Sequence, residues 1–406
     1  MQKRIIFAAV AGLASGAAFT QSNVSVYGIA DMSYVNYSDA NASGVGSTHQ
    51  INSGQWKTSR FGLKGSEDLG NDLSAIFQME FAMNMDVNNG PTTQRPSWVG
   101  LRSKSLGELS AGNFTTLEDQ LLVATSTMLE YGTVASPKYV YIETAGSEAR
   151  NMISNAVHYY SPVWDGFQIK AGISTHASNS DDVSATGLTN NATTNNGNNR
   201  VVAAALHYNK GPLVAGATYE YNKYEDYSGR PSTIKLDSGN TWNLAAAYDF
   251  GVARVSGAYG RINYAENGTF ATGQRMDNRT QWQLGVSAPI TPKDLISLNY
   301  AHANISYNDR KPTWNDDSIG FWGIGYQHSL SKRTTLYAAY GDINQDDDAN
   351  TKRAWTAQRQ PQLAVDSRAL SPSASVTTSK ILCTNGRLGA RDQSCNGSRS
   401  GITHAP

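Results

Sequence analysis

Residues 59–70 read SRFGLKGSEDLG, and their charges fall on one face. In an extended chain successive side chains alternate sides. Arg60, Gly62 and Lys64 therefore share one face, and Phe61 and Leu63 the other. Two fixed cations beside a bare glycine suit a wet surface, and the chemistry open to them is attraction of anions. Arg102 shares a second such face with Trp98 and Gly100. Acids follow in TTLEDQLLVATSTML, residues 115–129. Thr115 and Glu118 have capping-box spacing, and Leu117, Leu121 and Leu122 fall on one helical face. The spacing predicts a short helix with Glu118 and Asp119 in its first turn, where they suit the helix dipole. Two roles stay open for this pair: capping the helix, or lining a passage.

Bond-making chemistry finds no support. The seven histidines, at 49, 158, 176, 207, 302, 328 and 404, form no HExxH or Cys/His ligand set. The Asn/Gly-rich stretches lack the strand–GxxxxGK[ST] context of a phosphate loop. The reading is a protein that is not an enzyme and carries no cofactor and no metal site.

The elements that hold the charges are strands. In 241–250, Trp242, Leu244, Ala246, Tyr248 and Phe250 alternate with Thr241, Asn243, Ala245, Ala247 and Asp249. The same period of two runs through 213–222 and 281–288. Each run spans about 10 residues, the reach of a tilted strand across a bilayer core. Aromatic residues cluster at the run ends, where amphipathic rings meet headgroups. The polar face is small or neutral, mostly Gly, Ser, Asn and Gln, which suits an inner face touching pore water. Short connections (67–72, 103–108, 161–166, 209–212, 249–252, 289–294, 329–332) alternate with long polar ones (38–55, 84–94, 115–151, 175–200, 223–239, 263–278, 306–317 and after 343). Seven short turns join fourteen strands, and one strand before and one after make sixteen. The expected fold is all-β, a transmembrane antiparallel 16-stranded β-barrel.

Residues 1–20 read as a signal peptide, with Lys3 and Arg4 ahead of an apolar stretch and small residues. The formal net charge of zero hides an uneven distribution. Residues 352–406 hold eight Lys/Arg and two Asp, and with the basic leader set aside, residues 21–351 carry −8. That argues against a nucleic-acid partner, for which a basic face is expected. Cys383 and Cys395 are the only cysteines, and export permits a disulfide between them.

NVSVYGIADMSY, SRFGLKGSEDLGNDLSAIFQMEF, WVGLRSKSLGELSAGNF, SNAVHYYSP and LSKRTTLYAAYGD, in this order, resemble the Gram-negative trimeric general porins of the Neisseria and Burkholderia type. The resemblance runs from the leader to residue 351. It implies a homotrimer in the outer membrane of a Gram-negative bacterium, surrounded by lipid and inserted by the barrel-assembly machinery. It implies passive diffusion of small hydrophilic solutes and ions. It also implies that the third external loop, 115–151, folds inward and narrows the barrel. The implied constriction sets a basic wall of Arg60, Lys64, Arg102 and Arg150 against an acidic loop with Glu118 and Asp119. Arg60 aligns with a constriction arginine of the family, whereas Met152 rather than Arg150 occupies another of its basic positions. Two other functions compete with general diffusion: a substrate-selective channel, and a surface adhesin or phage receptor using the long loops.

The resemblance fails at the end of the chain. Residues 352–406 contain no Tyr or Phe and show no period, as a frame-shifted segment or a divergent loop would. A weak final strand is expected within them, at 397–405, with Pro406 where the family has a terminal aromatic.

Overall fold

The computed structural model describes residues 23–37, 48–88, 90–91, 95–127, 136–137, 140, 152–175, 200–223, 238–263, 276–307, 317–345 and 360–368. They form one antiparallel sheet and one helix. The strands are β1 (Asn23–Tyr37), β2 (Thr48–Ser53), β3 (Arg60–Gly70), β4 (Leu73–Ala82), β5 (Ser97–Ser103), β6 (Gly107–Thr115), β7 (Met152–Tyr160), β8 (Phe167–Ser174) and β9 (Arg200–Lys210). Then come β10 (Leu213–Lys223), β11 (Ser238–Asp249), β12 (Arg254–Asn263), β13 (Met276–Thr291), β14 (Asp294–Tyr307), β15 (Asp317–Ser329), β16 (Thr334–Gln345) and β17 (Gln360–Arg368). The helix α1 (Leu117–Thr125) lies between β6 and β7.

From β3 each strand pairs with the next as far as β17. β17 then pairs with β1, Arg368–Gln362 against Ile29–Val35, so the pairings return to their start. β2 and β3 both pair with β1, on its successive halves, and act as one interrupted wall strand. Counted so, the seventeen strands in the described residues make a ring of sixteen. β2 lies inside what the sequence suggests is a loop, 38–55. The closing strand also differs from expectation. It is Gln360–Arg368, while 397–405 lies outside the described residues.

Alternation decides which way each side chain points. On β11, Leu244 and Tyr248 face outward and are exposed, while Thr241, Asn243, Ala245 and Ala247 face inward and are buried. Outward ring pairs lie across neighbouring strands: Trp242 with Tyr259 at 5.6 Å, Trp282 with Tyr300 at 5.3 Å and Trp322 with Tyr340 at 5.2 Å. Such rows of rings mark the border between apolar core and headgroups. Among the described residues no helix is long and apolar enough to cross a membrane. The crossing is made by strands.

At the short-turn rim two hairpins are tied together. Asp72 takes a left-handed conformation (φ 66°) in the β3–β4 turn. Its carboxylate accepts from Ser103 Oγ at 2.9 Å, and from the backbone and hydroxyl of Ser105 at 3.1 and 3.0 Å, in the next turn. The Ser103 hydroxyl leads these bonds in holding the Asp72 carboxyl below its ordinary pKa.

The inner wall carries α1. Its N-cap is Thr116, whose hydroxyl accepts from Asp119 N at 3.2 Å. Thr115, the residue the spacing singles out, is instead the last of β6, and its carbonyl accepts from Gln120 Nε2 at 2.9 Å. The helix ends at Ser126, which is extended (ψ 146°). Leu117 packs on Ala203, Ala205 and Tyr160, and Leu121 and Leu122 pack on Ala245 and Ala258. A fully buried leucine is worth about 2 kcal/mol. Small wall residues let the helix come close. A Cβ added to Gly216 lies 2.7 Å from Leu121 Cδ1 and 2.6 Å from the Leu206 carbonyl.

Beyond α1 the same loop keeps to the wall. Thr127 donates to Asn299 Oδ1 at 3.0 Å, and Ser297 Oγ donates to the Thr127 carbonyl at 3.3 Å. Val140 packs on Ile262, Ala301, Ala303, Ile305, Ile319 and Phe321, and Arg279 donates to its carbonyl. This apolar inner patch departs from the small, neutral inner face that alternation suggests. Packed under Val140 and buried, these positions have no pore water to face. A Gly216→Leu substitution is expected to push α1 into the lumen while the barrel still forms. Single-channel conductance should fall or become noisy, with the heat-modifiable gel shift retained.

Candidate pore constriction

The register across β1, β3 and β4 builds the site. Tyr27 stands opposite Gly62, and Gly62 opposite Glu80. All three point inward. A Cβ on Gly62 would lie 2.3 Å from Tyr27 Cζ, so the glycine exists to let the Tyr27 ring lie flat across β3. The ring thereby reaches Glu80, and its hydroxyl donates to Oε2 at 3.0 Å. Lys64 Nζ stands 5.4 Å from the same ring centroid.

Glu80 is only 4% exposed, and a buried carboxylate needs donors. Besides Tyr27 it receives Arg95 Nε at 2.6 Å on Oε1, and Arg60 Nη1 lies 3.6 Å from the same oxygen. Arg60 Nε donates to the Thr58 carbonyl at 2.9 Å. The cluster thus holds two guanidiniums on one carboxylate. The arginine side chains keep 12% and 18% exposure, toward the lumen.

The other residues singled out in the sequence fall elsewhere. Arg102 is inward-facing but belongs to the rim. It pairs with its register partner Glu108 through Nε at 3.0 Å and Nη2 at 2.8 Å, and is half exposed. Seven residues separate it from Arg95, about 20 Å along a strand. Glu118 and Asp119 occupy the first turn of α1 and are buried, each 3% exposed. Arg150 lies outside the described residues. α1 contacts β8–β12, centred on β10, six strands round the ring from Glu80 on β4.

Glu80, Arg95 and Tyr27 belong to this cluster, and the sequence reading passes over them. Glu80 had a signal: a tight turn at Asn71-Asp72 pairs Gly62 with Glu80, placing a carboxylate between the bases. Arg95 stands in an irregular segment just before β5, where no period applies.

A closed sheet with lipid-facing rings, and a lumen narrowed by an inward loop beside a charge cluster, defines a passive membrane channel. The chain belongs to the Gram-negative porin family, whose profile matches residues 7–348. It is an outer-membrane porin, a water-filled β-barrel for passive diffusion of small hydrophilic solutes. It is 28% identical over 382 residues to an outer membrane porin protein of Bordetella pertussis, covering 84% of this chain and 94% of that one. It is 30% identical over 347 residues to outer membrane porin protein 32 of Delftia acidovorans, covering 83% and 88%. Among solved structures, an anion-selective porin from Comamonas acidovorans superposes with a TM-score of 0.68 at 24% identity, over 86% of this chain and 100% of that one. The trimer form of OmpT from Vibrio cholerae gives 0.59 at 17% identity, over 86% and 98%.

Removing the carboxylate that Arg60 and Arg95 share takes one negative charge from the cluster. Glu80→Gln is expected to move the zero-current potential in a KCl gradient toward the chloride equilibrium potential. An unchanged potential would take Glu80 out of the ion path.

Proposed function

We propose that this porin prefers anions, and that the preference is set where Arg60 and Arg95 share Glu80. The carrying observation is the convergence of Arg60 and Arg95 on Glu80 at a lumen-facing site, with Lys64 beside the Tyr27 ring of the same cluster. The −8 of residues 21–351 has the opposite sign, but many of those acids fall in the long loops. At physiological ionic strength a charge is screened beyond about 8 Å, so distant loop acids hardly reach the constriction. A narrow path with low-dielectric walls concentrates the field of the nearest charges. Similarity to the Comamonas porin, which is itself described as anion-selective, supports the same sign. Solutes cross by diffusion with no chemical step, sieved by size at α1 and by charge at the arginines.

The functional unit in this proposal is a homotrimer of chains cut after the leader, with residues 21–351 as the family barrel and a closing strand from the segment beyond. The similarity to a porin with a trimer form supports it. So does a gap in the ring rows. Among the described residues, the outward faces of β3–β6 carry no Tyr or Trp. Phe61, Leu63, Met79, Val99, Leu101 and Leu109 stand there instead. A face without headgroup-seeking rings suits contact with another copy rather than with a lipid border.

Two experiments test these readings. In planar bilayers under a KCl gradient, the double variant Arg60→Gln/Arg95→Gln should lose the chloride preference with conductance retained. An unchanged permeability ratio would remove these arginines from the filter. For assembly, Val99→Cys in a background lacking Cys383 and Cys395 should give disulfide-linked dimers in outer membranes, and Leu298→Cys should not. The reverse pattern would place the subunit contact on the β14 side.

A further inference from the structure

The wall strand made of β2 and β3 is interrupted by six residues, Gly54–Ser59, that leave the sheet. They turn into the lumen, because their partners are inward-facing. At the base, Gly54 (φ +73°) donates its N–H to the Asp31 carbonyl at 2.9 Å. Ser59 Oγ accepts from Asp31 N at 2.9 Å and donates to the Asp31 carbonyl at 2.9 Å. At the tip, the backbone N–H groups of Trp56 and Lys57 donate to Asp31 Oδ2 at 2.7 and 2.5 Å. The other carboxylate oxygen, Oδ1, accepts from the Tyr337 hydroxyl of β16 at 2.7 Å. The Trp56 ring lies 4.8 Å from the Tyr337 ring, and Asp31 and Trp56 are both fully buried.

One carboxylate thus fixes a whole segment. β1 and β16 flank the closing strand β17, so the bond from Tyr337 to Asp31 spans the seam of the barrel on its inner side. The segment so held contains Thr58, whose carbonyl receives Arg60 Nε. A guanidinium is planar, so fixing Nε fixes its plane and the approach of Nη1 to Glu80.

We propose that Gly54–Ser59 is an inward clasp, pinned by Asp31 and Tyr337, that orients Arg60 for charge filtering. Asp31 is then a positioning residue for selectivity, and the state of the seam is felt in the filter. The inference rests on the reading of Arg60 as part of the filter. Asp31→Asn keeps the shape of the side chain but removes its charge and leaves one acceptor oxygen where the carboxylate offers two. Tyr337→Phe removes a single hydroxyl and keeps the ring stack.

The test is the anion-to-cation permeability ratio of purified, reconstituted full-length porin, beside the heat-modifiable gel shift that reports barrel formation. The expected result is a fall of at least about twofold for Asp31→Asn and a smaller fall for Tyr337→Phe, with the gel shift retained. In an Arg60→Gln background Asp31→Asn should then change the ratio no further, since coupled residues are not additive. A purely structural role would lower barrel yield and add to the effect of Arg60→Gln. If Arg60→Gln shifts the ratio and Asp31→Asn does not, the clasp proposal is overturned and the filter stands. If Arg60→Gln itself leaves the ratio unchanged, the filter fails and this inference with it. Should Asp31→Asn not assemble, Tyr337→Phe decides, and a ratio equal to the wild type would overturn the proposal.

Discussion

In lipid, every backbone N–H and C=O must find a partner within the protein, and a sheet meets this demand only by closing on itself. The rest of the structure follows from that closure. The wall is one residue thick, so a period of two sends each side chain either to lipid or to the lumen. Rings gather where the outer face meets headgroups. Charges that would be costly outside are tolerated inside, because the lumen is wet. The seam where β17 meets β1 completes the ring, and it is reinforced from within by Asp31 and Tyr337.

A closed barrel of sixteen strands leaves an aqueous channel unless something fills it. The filling is the long loop after β6, and the wall is shaped to receive it. Alanines stand under α1, glycine gives way to Leu121, and an apolar patch meets Val140. These contacts hold the loop on the β8–β15 side. The open path is thereby displaced toward the opposite wall, where Arg60, Glu80 and Arg95 are held by one another, by Tyr27 and by the Thr58 carbonyl. In the proposed reading, size exclusion and charge filtering are two results of the same asymmetric packing.

The barrel was legible because its two signals, alternation and unequal connections, repeat along the chain. Parity also placed Arg60 and Lys64 on the lumen face. Parity says nothing of depth, which is why Arg102 shares their face yet stands at the rim with Glu108. It says nothing of irregular backbone either, so Arg95 and the Gly54–Ser59 segment left no trace. The helix was visible in its leucines, but its cap lay one residue further on, since two threonines in a row offer the same chemistry. The closing strand was the hardest. Strand pairing is made by backbone groups, and Gln360–Arg368 supplies them without an alternating pattern.

In the proposed filter the nearest fixed charges, not the total, set the sign of selectivity. This is tested by the zero-current potential of the wild-type channel in a planar bilayer under a tenfold KCl gradient. The measurement is repeated as the mean salt concentration is raised. The account predicts a potential on the chloride side that shrinks toward 1 M, where the screening length falls to about 3 Å. A potential on the potassium side at low salt would show that the acidic total governs the pore, and would contradict the account.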